Sequence, residues 1–221
     1  MDDNGTPTTP TTPGTPGTPG TSSTSSTQET WGVAIRYIVG RKSAEEALGF
    51  LAHCGAALSG TVDLDVSLRD VARAGVAFLA DVSRISLVEG GVPAETVTEH
   101  VAGLDPAVVA RQLAFLDDGA AGRGDRTPDV LAGGHPVVYA ESGGSATEES
   151  RSDAAELGVL SALLIPLSVR GRLVGTLTLV RAGIRKKAGF GASDVALAGE
   201  LGRQVAMAVE VARLHRALAE R

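Results

Sequence analysis

The chain has 221 residues, of which 43% are hydrophobic but only 3% aromatic, so it can fold one domain with a core filled by Ala, Val and Leu, and it has few flat side chains for stacking bases or planar cofactors. A formal net charge of −6 gives no electrostatic footprint for phosphate backbones, which argues against nucleic acid as a partner. The single cysteine, Cys54, excludes an internal disulfide or a cysteine zinc cluster and suits a reducing cytoplasm; no apolar leader is present, and no apolar run approaches the about 20 residues that span a bilayer.

Residues 1–30 are Thr, Pro, Gly and Ser with a Gly-Thr-Pro repeat, and such a composition buries too little apolar surface to offset its ordering entropy. A disordered tail is expected there, followed by an arm and linker helix over 31–60 and the domain proper over 61–221. Trp31, Val33, Ile35, Tyr37 and Val39 alternate as in a strand or extended arm. Ser43-Ala44-Glu45-Glu46 is a capping box, predicting a helix to about Leu58. A second helix from near Ser67 carries Leu68, Val71, Ala72, Gly75, Val76 and Leu79 on one side. Val82–Val88 and Thr96–Ala102, separated by a Gly-Gly turn, read as paired strands. Asp105-Pro106 supplies an N-cap and a proline at the first helical position, predicting a short helix to about Leu116. Asp117–Asp125 and Ser142–Ser152 are polar and read as loops.

Leu157–Val180 is a β-hairpin turning at Arg170-Gly171-Arg172, with both faces largely apolar. An exposed strand pair would alternate apolar and polar residues, so this hairpin belongs in the middle of a sheet covered on both sides. A basic cluster, Arg185-Lys186-Lys187, reads as a solvated loop. The last helix is predicted from Ser193, with Asp194 at its positive end, to Arg221. Met207, Val211, Leu214 and Leu218 follow a four-three-four spacing, the seam of a two-helix coiled coil.

Several of these features coincide in one family. The Leu-Gly-Val lead-in at Leu157, Pro166-Leu167, the Gly171 turn, Gly175 in the second strand, and a phenylalanine-containing loop before a long helix resemble the C-terminal half of a GAF domain, as found in actinobacterial sensor kinases and serine/threonine phosphatase regulators. The resemblance implies an α+β fold: a central antiparallel β-sheet with N- and C-terminal helices on one face and loops and short helices on the other, where a ligand is held. It also implies that Thr127–Glu141 forms a helix, a glycine turn and a Pro-Val-Val strand.

Signatures of catalytic chemistry are lacking: there is no phosphate-binding glycine loop after a strand, no His-Glu-X-X-His and no paired metal-ligand spacing. The methionine sulfoxide reductase lineage of GAF domains uses several cysteines, and this chain has one. Cys54, beside His53, reads as a small core residue rather than a bilin or redox site. His100 and His135 are candidates for a haem ligand, although a structural role is the commoner one for each. Arg84 in mid-strand is less ordinary, because a buried arginine requires an anionic partner. That partner is either Glu99 or a loop carboxylate, or else a small anionic ligand. By alternation, Arg84, Ser86, His100, Ser161, Thr176 and Thr178 form a candidate polar lining. The cyclic-nucleotide motif of some GAF domains is missing.

The sequence therefore predicts a non-catalytic sensory domain, binding a small ligand or a partner and signalling through terminal helices across a homodimer seamed by Met207, Val211, Leu214 and Leu218. The rival is a ligand-free scaffold that pairs with a separate kinase or phosphatase; a haem or redox sensor stands third. No cofactor is required, and neither nucleic acid nor membrane is an expected partner.

Overall fold

The computed structural model describes residues 43–60, 63–90, 92–122, 133–140, 152, 154–184 and 189–219. The tail, the arm over 31–42, the helix expected after Thr127 and the Arg185–Lys187 cluster lie outside them. Two units are formed, Met1–Ala44 and Glu45–Arg221, and the fold is that of the second.

Helix α1 (residues 43–60) turns Phe50 and Cys54, one turn apart, into the core, and Phe50 stacks on Phe78 at 4.8 Å between ring centroids. Helix α2 (Leu64–Phe78) begins earlier than the expected Ser67, because Asp63 takes the cap and its carboxylate accepts from the Asp65 N–H at 3.0 Å. Ser67 is instead buried, donating its hydroxyl to the Asp63 carbonyl. The remaining elements are β1 (Val82–Glu89), β2 (Val92–His100), α3 (Pro106–Gly122), β3 (Val137–Ala140), β4 (Ser161–Val169), β5 (Arg172–Arg181) and α4 (Ala192–Ala219).

The strands form one five-stranded antiparallel sheet in the order β2-β1-β5-β4-β3. The hairpin β4–β5 turns through Arg170 and Gly171, both at positive φ (51° and 78°), a two-residue reversal whose twist matches the strands it joins. It occupies the middle of the sheet, as its two-sided apolarity requires. β2 runs from Val92 to His100, where the sequence predicts Thr96–Ala102, because pairing with β1 extends back to the turn.

Odd-numbered residues of β1, β4 and β5, among them Ile85, Leu163, Ile165, Leu167, Leu177 and Leu179, pack against α1, α2 and α4. Even-numbered Val82, Ala162, Leu164 and Val180 pack against Val109, Leu113 and Leu116 of α3. Terminal helices thus cover one face and α3 the other. α3 continues past the expected end at Leu116 to Gly122, so Asp117 lies on a helix and not in a loop. α4 begins at Ala192, ahead of the expected cap at Ser193: Gly191 is the N-cap, and the carboxylate of Asp194, in the first turn, reaches back to accept from the Gly191 N–H at 2.9 Å. Up to Val209, α4 buries Ala198, Leu201, Gly202, Val205, Ala206 and Val209; beyond Val209 no described residue of it is fully buried.

Candidate functional site

Three strands carry their polar side chains to the α3 side of the sheet. The register sets Arg84 opposite Thr98 on β2 and Thr178 on β5, and Ser86 opposite Thr96 and Thr176. Because side chains alternate along each strand, these residues stand in two adjacent rows on one face, with His100 a row further on beside Val82. Thr96 donates to the Ser86 hydroxyl at 3.4 Å.

Arg84 is held by Asp117 of α3, its two terminal nitrogens donating to the two carboxylate oxygens at 2.8 and 2.5 Å. The guanidinium is 12% exposed and the carboxylate 56%, so the pair seals one edge between α3 and the sheet while keeping contact with solvent. The carboxylate partner is Asp117 rather than Glu99, which is on the opposite face and meets Arg73 at 3.4 Å. Arg84 Nε is buried with no partner among the described residues, as are Thr178 Oγ1 and Gln112 Oε1. Gln112 enters from α3 and donates through Nε2 to the Leu157 carbonyl at 2.8 Å.

Ser161 does not join this group. It pairs with Arg181 across β4–β5, and its odd position turns it to the helix-covered face, where it donates to the Tyr139 carbonyl at 2.7 Å. Counting alternation across a loop does not fix which face a distant strand presents, and the pairing register does. His100 Nδ1 lies 3.1 Å from the Val101 carbonyl, a contact that requires the proton on that nitrogen. His135 is exposed ahead of β3, and His53 is exposed on α1. Cys54 is fully buried among the core of the terminal helices, and burial pushes its thiol up to about 11, leaving it a poor nucleophile. Among the described residues, no group of His, Cys, Asp and Glu is arranged to hold a metal ion. No described helix is long and apolar enough to cross a membrane.

Sequence reasoning misses Gln112, and reaches Asp117 only as an unnamed loop carboxylate, not as a residue of α3. Gln112 is detectable in principle, as a polar residue within the apolar helical stripe Val109, Leu113 and Leu116. Asp117 is not, since the glycines after it suggest that the helix has ended.

The terminal helices border a groove of about 1330 Å³ lined by the end of α1, the start of α2 and α4, including Leu58, Leu64, Met207, Val211 and His215. Asp63, Asp65 and Glu95 also line it. Burial first, and then the neighbouring Asp65 carboxyl, raise the pKa of Glu95, while Arg216 pulls in the opposite direction. Met207, Val211, Leu214 and Leu218 of α4 are 57%, 48%, 57% and 67% exposed.

A sequence profile for the GAF domain matches residues 56–209, which run from the end of α1 through the whole sheet to the last buried residue of α4. The chain belongs to the GAF domain family. GAF domains act as sensory or regulatory domains in signalling proteins, generally without catalysis. No curated protein matches this sequence. Among solved structures, the GAF domain of a sensor histidine kinase from Pseudomonas syringae pv. tomato is 18% identical, with 82% of this chain and 99% of that one aligned and a TM-score of 0.54. The GAF domain of a phosphoenolpyruvate-protein phosphotransferase from Coxiella burnetii is 19% identical over 79% of this chain and 98% of that one, also at 0.54. The phycoerythrobilin-bound GAF domain of a cyanobacterial phytochrome is 12% identical over 77% and 97%, at 0.59. At these identities the likeness extends to the fold alone.

Proposed function

We propose that this GAF domain is a non-catalytic sensor that takes a small polar ligand between α3 and the Arg84–Thr178 rows and signals through its terminal helices across a homodimer. The observation that carries this reading is that three of the five unpartnered buried side-chain atoms among the described residues are on the α3 side: Arg84 Nε, a donor; Gln112 Oε1, an acceptor; and Thr178 Oγ1, which can be either; the other two are Ser83 Oγ, on the opposite face of β1, and Gln204 Oε1 of α4. Native interiors seldom leave such groups unsatisfied, and a bound polar molecule or water resolves the cost. Asp117 already neutralises the Arg84 guanidinium through both terminal nitrogens, so an anionic ligand would add a second negative charge beside that carboxylate. A neutral, hydroxyl- or amide-bearing ligand would not. The exposed seam of Met207, Val211, Leu214 and Leu218 supports the dimer.

One observation favours the rival scaffold reading. Val109, Leu113 and Leu116 already pack tightly on Val82, Ala162, Leu164 and Val180, so part of the α3 face is closed. Native mass spectrometry of the protein from its own source separates the two. A dimer carrying a discrete extra mass that Thr178→Val removes supports the sensor, whereas an empty dimer or monomer transfers the function to protein partners.

A further inference from the structure

The residues that fasten α4 to the sheet also grip two other elements. Arg181, at the end of β5, is 6% exposed. Its Nε donates to the carbonyl of Leu79, the C-cap of α2, at 3.0 Å. One terminal nitrogen donates to the Gly189 carbonyl at 2.7 Å, the other meets Asp194 in the first turn of α4 at 3.1 Å, and the guanidinium lies 4.1 Å over the Phe190 ring. Directly opposite in register stands Ser161. Its hydroxyl donates to Tyr139 of β3 at 2.7 Å and accepts from the Phe190 N–H at 3.4 Å. β3 is the shortest of the described strands, at the sheet edge, where it pairs with β4.

We propose that the Ser161–Arg181 pair is the coupling element of the domain, tying the β3 edge and the C-terminal end of α2 to the first turn of α4, so that a displacement of β3 is passed to that helix. A short bond anchors Ser161 to β3, and a long one connects it to Phe190. The long bond is the weaker, so it breaks first when β3 moves. Phe190, released, loosens its stack on Arg181, whose other bonds set the start of α4 against the end of α2. Ser161 is thus a positioning residue, which accounts for a buried serine at the start of a largely aliphatic strand. The inference rests on the reading that terminal helices carry the signal.

The test uses the full chain without ligand and reads single-amide hydrogen exchange in four proteins: native, Val138→Gly, Ser161→Ala and the double variant. Val138 is 42% exposed, and glycine there removes a β-branched side chain and raises the backbone freedom of a four-residue edge strand, loosening β3 without opening a core cavity. The expected result is that Val138→Gly speeds exchange at Phe190 and Val195 by roughly 3- to 10-fold in the native background, the range of one lost hydrogen bond, and by less than twofold when Ser161 is alanine. Equal increments in the two backgrounds, or an unmoved Val195 in the native one, overturn the coupling. A merely structural Ser161 would instead raise exchange throughout the core in proportion to the stability lost in urea unfolding. Neither ligand nor dimer enters the measurement, so an empty monomer in mass spectrometry and a failed coupling are separate outcomes.

Discussion

At the scale of single residues, Glu95 gives the sharpest expectation. Its carboxyl titrates above the ordinary value because burial and Asp65 both disfavour the charge. A raised folded-state pKa means that the folded chain binds the proton more tightly; the stabilisation is complete below the unfolded value and is lost as pH rises through the folded one. At neutral pH the ionised Glu95 therefore opposes folding. Glu95→Gln should raise the melting temperature at pH 7, and the gain should fade as the pH drops toward about 4, a trend that melts across that range will check. Arg84 shows how a residue's type can be legible while its partner is not. An arginine in mid-strand announces an anionic partner, yet Asp117, 33 positions away, becomes that partner only because α3 runs one turn further than its glycines suggest.

At the scale of elements, close approach is decisive. A Cβ on Gly175 would fall 2.3 Å from the Ser86 carbonyl oxygen, where β1 is irregular between Ser86 and Val88, so alanine there must push two central strands apart. A Cβ on Gly202 would fall 2.7 Å from Ile165 Cγ2, a methyl on a stiff, buried β-branched side chain, a clash that the better helix propensity of alanine offsets in part. Gly175→Ala is expected to cost about 3 kcal/mol, at the upper end of overpacking effects, and Gly202→Ala about 1 kcal/mol; urea unfolding of the two variants will give the order. The hairpin β4–β5 is fully legible in the sequence, since its turn residues and its two-sided apolarity are local. The start of α4 is only half legible: Asp194 lies in the first turn as expected, but the helix begins at Ala192 and not at Ser193, because the Asp194 carboxylate, held by Arg181, reaches back to the Gly191 N–H.

At the scale of the molecule, α4 continues beyond the surface it packs on. Its inner residues end at Val209, while Met207, Val211, Leu214 and Leu218 present an apolar line beside the groove between the terminal helices. The double variant Val211→Glu/Leu214→Glu should convert a dimer to a monomer in native mass spectrometry without lowering the unfolding midpoint of the domain, because neither side chain belongs to the core. A dimer that survives both charges would place the interface elsewhere. The sequence by itself determined the fold family, through its resemblance to GAF domains, and also the covered hairpin, the polar alternation of the strands and the apolar line along the last helix, because these three are written in spacing over a few turns or strand residues. Only the tertiary structure decided that Ser161 faces the helices and Arg84 faces α3, that Asp117 and not Glu99 answers the arginine, and that Arg181 joins α2 to α4. Those facts depend on strand register and on contacts between residues far apart in the chain, which local periodicity does not encode.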